Sequence, residues 1–199
     1  MKETSLTYGV FLTRGQPFHE GHLMVIKNAL ADNDRILVII GSSDKYGNER
    51  NPFDEQLREK QFKQLLTYLG DDAERVKYIK LQDWSSDKDI PYESTDGRSG
   101  LGFDKVNSEW GLYFYYNVVN VIGRKDFTMY YNDDPAIIGN WFPPAISDRI
   151  TVKTVDRTEY SSSRVRHAML DGDKVYLKAA MPFADNELVE ELTKVLKQI

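Results

Sequence analysis

The sequence predicts an α/β fold, Rossmann-like and doubly wound, with a mainly parallel sheet carrying helices on both faces. Three observations predict it. Short β-branched or aromatic runs alternate with stretches of helical periodicity along most of the chain. The run Arg35-Ile36-Leu37-Val38-Ile39-Ile40 is apolar on both strand faces, as a strand covered on two sides must be. Three of the runs lead into turns rich in Gly, Ser, His or Asp, and intervening helices give right-handed crossovers that set such turns along one edge of the sheet.

The elements follow in order. Tyr8-Gly9-Val10-Phe11-Leu12 is of strand length, and Leu23, Ile26, Ala29 and Leu30 recur with helical spacing after it. The 35–40 strand ends at Gly41-Ser42-Ser43, and a polar loop leads to Pro52-Phe53 and a helix opening near Asp54, with Phe62, Leu65, Leu66 and Leu69 as its core stripe and Gly70 as its stop. Val76 to Leu81 reads as a third strand, Phe127 to Tyr131 as a fourth and Ile150 to Val155 as a fifth. The segment of about 83–107, centred on Gly97-Arg98-Ser99-Gly100-Leu101-Gly102, reads as an irregular insertion: it lacks the Gly-Lys-Ser/Thr ending of a phosphate loop and does not join a strand to a helix. The rings of Trp110 to Tyr116 read mostly as core. A terminal helix of about 185–199 puts Leu188, Val189, Leu192, Val195 and Leu196 on one face, which packs on its own domain.

At 199 residues the chain is expected to form a single domain over 1–199. Hydrophobic residues at 41% and charged residues at 29% give a globular composition, and no apolar run nears the roughly 20 residues of a membrane span. With no secretory core at the amino terminus, a cytoplasmic location is expected. The absence of cysteine excludes disulfides, thiolate metal sites and cysteine nucleophiles. A net charge of −5 argues against a general nucleic-acid or membrane-surface binder, so phosphate must be bound by local cations.

Those local groups cluster twice. Thr13-Arg14-Gly15-Gln16-Pro17-Phe18-His19-Glu20-Gly21-His22 lies between a strand and a helix, where unpaired backbone N–H groups favour an anion. His19 and His22 lie three apart and can face the same anion, with Arg14 approaching from the strand end; either histidine alone also reads as a cap or surface residue. The spacing is one short of the i, i+4 pair of a zinc protease. Late in the chain, Ser161-Ser162-Ser163-Arg164-Val165-Arg166 opens another helix, where the serines read as N-caps and, with the arginines, as a phosphate cradle.

These residues carry a resemblance. His19-Glu20-Gly21-His22 with Ser161 through Arg166 is similar to the His-x-Gly-His nucleotidyltransferase superfamily. Arg14-Gly15-Gln16-Pro17-Phe18-His19-Glu20-Gly21-His22, Gly41-Ser42, Asn51-Pro52-Phe53 with Arg58, Asn107-Ser108-Glu109-Trp110 and Tyr131-Asn132-Asp133-Asp134-Pro135 resemble its archaeal-type nicotinamide mononucleotide adenylyltransferase branch. The chain has Thr13 where the family has glycine, and Ser162-Ser163 where it has Gly-Thr.

The resemblance implies transfer of the adenylyl group of ATP to nicotinamide mononucleotide, with Mg2+ accompanying ATP and no metal held by protein ligands. It implies catalytic roles for His19, His22 and Arg14. ATP contacts are implied at Gln16, Gly21, Arg58, Ser161, Ser163 and Arg166, and acceptor contacts at Phe18, Gly41, Ser42, Asn107 and Trp110. Trp110 would stack on the nicotinamide ring, and the partners would be ATP and a nucleotide monophosphate, with no nucleic acid or membrane and a possible homo-oligomer. Two alternatives stay open: the same chemistry on another acceptor, such as phosphopantetheine or nicotinate mononucleotide, and a non-catalytic nucleotide-binding regulatory module.

Overall fold

The computed structural model describes residues 6–83, 103–132, 138 and 141–199, with the backbone alone over 103–108. Five parallel strands, β1 (Tyr8–Thr13), β2 (Arg35–Ile40), β3 (Val76–Lys80), β4 (Phe127–Tyr131) and β5 (Ile150–Thr154), form one sheet in the order β3-β2-β1-β4-β5. The central strand β1 runs in register with β2 from Tyr8↔Arg35 to Thr13↔Ile40, and with β4 through Val10↔Met129. The order reverses direction at β1, so the crevice beyond its carboxyl end lies between the turns that follow β1 and β4.

Both faces are covered. Phe11, Ile36, Val38 and Ile40 point into one apolar layer with α1 (Glu20–Asp32), α2 (Glu55–Leu69), α5 (Ser162–Asp171), α6 (Lys174–Ala180) and α7 (Asn186–Leu196). Val10, Leu37, Ile39 and Met129 point into the other, with α3 (Phe103–Ile122) and the short α4 (Pro144–Ser147). The alternation of β2 side chains between two closed layers is why its sequence is apolar throughout.

Local chemistry sets the helix ends. Asp54 caps α2 by accepting from Leu57 N at 2.8 Å, and Gly70 ends it at φ 62°, a conformation open to glycine. Asp185 caps α7 through Leu188 N at 2.8 Å, and Leu188 and Leu192 are fully buried, so this terminal helix packs on its own core as expected. The expected irregular stretch ends earlier than anticipated: α3 begins at Phe103 and takes in the backbone of Asn107, while 84–102, including Gly97 to Gly102, lies outside the described residues. The aromatic run from Trp110 to Tyr116 belongs to α3, and its glycine has a packing reason. A Cβ at Gly111 would lie 1.6 Å from the backbone oxygen of Trp141, so helix and 141–142 segment touch through main chain. Among the described residues no helix is long and apolar enough to cross a membrane.

Candidate active site

The turn after β1 is held by side chains from elsewhere. Gly15 sits at φ 61°, and a Cβ there would fall 2.2 Å from the Phe18 ring, so the turn closes over that ring only with glycine. Gln16 Nε2 donates to Phe53 O and Phe53 N donates to Gln16 Oε1, each at 2.9 Å. Phe18 N donates to Gln61 Oε1 at 2.9 Å, and the Phe18 side chain is fully buried against Phe62 and His22. Gln16 and Phe18 therefore shape the turn from within.

The two histidines cap α1 reciprocally. Gly21 N donates to His19 Nδ1 and His19 N donates to His22 Nδ1, both at 3.1 Å, with ring centres 4.0 Å apart. An Nδ1 that accepts a main-chain N–H carries no proton, so each neutral imidazole has its proton on Nε2. Burial lowers the pKa of His19 to about 4; burial, then the nearby His19, lowers that of His22 well below its usual value. Both rings are thus neutral N–H donors at neutral pH, at the positive end of a 13-residue helix. A Cβ on Gly21 would approach Thr158 Oγ1 and His19 Cε1 to 2.9 Å, so glycine lets the segment before α5 close over the motif. Thr158 is a site neighbour that no sequence pattern marks.

The late motif docks on the same turn. Ser161 caps α5 through Arg164 N at 3.3 Å, Ser162 Oγ donates to Pro17 O at 3.1 Å, and Arg166 Nη1 donates to Gln16 O at 2.6 Å. Arg166 Nη2 also reaches Ser163 Oγ at 3.4 Å. His19, His22, Gln16, Ser161, Ser163 and Arg166, separated by some 140 positions in sequence, are therefore brought together.

Arg58 departs from the ATP contact expected of it. Its side chain is fully buried and spends its five N–H groups on carbonyls: Nε on Asp54 O at 3.3 Å, Nη1 on Arg14 O at 3.3 Å and Gly41 O at 2.9 Å, Nη2 on Ser42 O at 3.2 Å and Ser43 O at 3.1 Å. A guanidinium has five such donors, so a phosphate could take one only by displacing a carbonyl. Arg58 instead ties the ends of β1 and β2 to α2, and it holds Ser42 in the left-handed conformation, φ 49°, that a serine rarely adopts.

On that second turn, Ser42 Oγ donates to Asp83 Oδ1 at 3.0 Å. Trp110 is half-buried on α3, its ring 5.8 Å from Tyr113 and 6.1 Å from Trp141, so it is neither a sealed core residue nor isolated. The side chain of Asn107 and the residues Asp133 and Asp134 lie outside the described residues. Among the described residues no group of three or more His, Asp or Glu side chains is placed to hold a metal ion.

The His-x-Gly-His cap of α1 and the serine- and arginine-bearing start of α5 thus meet at the turn after the central strand of a parallel, doubly wound sheet. Residues 6–168 match the cytidylyltransferase-like family, and the chain belongs to it. Among curated relatives, it is 32% identical over 81 residues to a nicotinamide/nicotinic acid mononucleotide adenylyltransferase of Acinetobacter baylyi, a match covering 41% of this chain and 42% of that one, less than half its length. It is 26% identical over 186 residues to a nicotinamide-nucleotide adenylyltransferase of Methanolobus tindarius, covering 93% and 88%. Its fold matches, with TM-score 0.70 and 20% identity over 97% of this chain and 51% of the other, a Francisella tularensis bifunctional NMN adenylyltransferase/ADP ribose pyrophosphatase solved with AMP and a manganese ion.

Proposed function

We infer that this site joins ATP and nicotinamide mononucleotide to give NAD and pyrophosphate. The observation that carries the reading is the reciprocal cap of His19 and His22, which aims two Nε2–H donors from a helix start in a chain whose relatives bear nicotinamide-nucleotide adenylyltransferase names. An acceptor 5′-phosphate oxygen attacks the α-phosphorus of ATP; one P–O bond forms, the bond to the β-phosphate oxygen breaks, and pyrophosphate leaves with that electron pair. The attacking phosphate is already an anion, so no general base is needed. What the protein must supply is alignment of two polyanions and stabilisation of the charge that builds on the transferring group.

His22 and His19 donate from Nε2 to the α-phosphate and its neighbours, Arg14 and Arg166 supply positive charge, and Ser161 and Ser163 donate from the second helix start. Arg58 acts beneath this layer, fixing the carbonyls of Arg14 and Gly41 to Ser43. Gly41 and Ser42 face the acceptor, and Trp110 offers an indole to its cationic ring. These donors suit anions rather than a bare cation, so magnesium enters as part of the ATP substrate. The test is to incubate the protein with ATP, magnesium and nicotinamide mononucleotide and identify products by mass; NAD with equimolar pyrophosphate is expected, and ATP binding without either product overturns the reading.

A further inference from the structure

Two carboxylates lie where β2 and β3 end, beside the Gly41-Ser42 turn that the reading above gives to the acceptor. Half-buried Asp83, just past β3, accepts from Ser42 Oγ at 3.0 Å, and its N–H donates to Asp44 Oδ1 at 3.1 Å. Tyr113 lies one helical turn from Trp110 with ring centres 5.8 Å apart; burial, then Asp44 and Asp83, raises its pKa, so its phenol lies in the field of both carboxylates. Asp83 thus lies against the Ser42 turn, and Tyr113 beside Trp110 on α3.

Lys45 pairs with Asp44 at 3.3 Å, and Arg58 has every N–H on a carbonyl. Among the described residues Asp83 has no ion-pair partner, and a carboxylate accepting from one hydroxyl keeps lone pairs for further donors. A carboxamide on the acceptor ring presents N–H donors to such a group. A ring carboxylate presents only acceptors and a like charge, and sites built around a polar partner reject the analogue that leaves it unmatched.

Resting on the reading above, we propose that Asp83 selects the acceptor by its exocyclic group, accepting a hydrogen bond from the carboxamide of nicotinamide mononucleotide and excluding the carboxylate of nicotinate mononucleotide. Asp44 orients Asp83 through its backbone and adds to the exclusion.

The experiment measures kcat and KM for both mononucleotides at saturating MgATP in the wild type, Asp83→Asn, Asp83→Glu and Asp44→Asn. The wild type is expected to favour nicotinamide mononucleotide by at least about tenfold in kcat/KM, and Asp83→Asn to narrow that ratio by about tenfold, chiefly through a lower KM for nicotinate mononucleotide. Asp83→Glu, which keeps the charge, retains the preference, and Asp44→Asn shifts it less than Asp83→Asn does. The proposal falls if the wild type uses both acceptors equally, or if Asp83→Asn slows both in parallel while NAD still forms. Absence of turnover with either acceptor in the wild type instead refutes the underlying adenylyl-transfer reading, and this proposal with it. Should Asp83→Asn fail to fold, the wild-type ratio together with that of Asp44→Asn decides the matter.

Discussion

Acid titration of His19 tests whether the fold keeps the motif imidazoles neutral. His19 is 5% exposed and burial lowers its pKa from 6.5 to about 4. A group with a depressed folded pKa takes up its proton first in the unfolded chain. Above about pH 6.5 both states are neutral and the full stability is present; as pH falls toward about 4 the unfolded state gains a proton that the native state refuses, and stability declines. Protonation of Nδ1 would also break its bond from Gly21 N, the cap of α1. At about 1.4 kcal/mol per pH unit, the loss is on the order of 3 kcal/mol. Urea unfolding followed by circular dichroism from about pH 7.5 to pH 4.5 should be compared for the wild type and His19→Asn, because asparagine is itself a good N-cap and does not titrate there. The stability of the wild type relative to the variant should fall by the amount above. A difference that stays constant across the range refutes the reasoning.

Three further outcomes are expected. Arg58→Met should lower stability by about 3–5 kcal/mol, on the order of 10 °C in Tm, because buried carbonyls lose their donors; an unchanged melt would remove its role as a brace. Trp110→Ala should raise the KM for nicotinamide mononucleotide about 2- to 30-fold while moving kcat less, the span expected for an indole against a cationic ring, and an unfolded variant would favour a purely packing role. His22→Ala should cut kcat by at least about 100-fold with the far-ultraviolet spectrum preserved, and wild-type turnover in that variant would sink the assigned mechanism.

The sheet was legible because its chemistry is local. Ile36 to Ile40 must be apolar on two faces, and Asp54, Gly70, Ser161 and Asp185 carry helix-end signals that depend on a few neighbours. Each of the first turn and the late motif could be read as a phosphate-binding helix start, but their pairing came from the family resemblance alone, since no spacing links Gln16 to Arg166. Arg58 was not legible in the same way: a guanidinium spent on five carbonyls and one turned to phosphate are the same letter, and only the three-dimensional positions of Arg14 and Gly41 to Ser43 distinguish them. Thr158 reaches Gly21 across more than a hundred positions without any periodic signal. The helix over Phe103–Ile122 was obscured because its aromatic run satisfies a core reading in either secondary structure.

The way Arg58 is bonded also bears on how the site is braced. One side chain laces together the carboxyl ends of two adjacent strands and the first turn of a helix, so the Arg14 and Gly41 to Ser43 main chain behaves as a single stiff plate. The opposite wall is built differently: Ser161, Ser163 and Arg164 are exposed, and α5 meets the first turn through Ser162 on Pro17 and Arg166 on Gln16. The two sides of the crevice are therefore braced unequally, one by a single buried guanidinium bonded to five carbonyls and the other by two side-chain bonds from a helix start whose Ser161 and Ser163 face solvent.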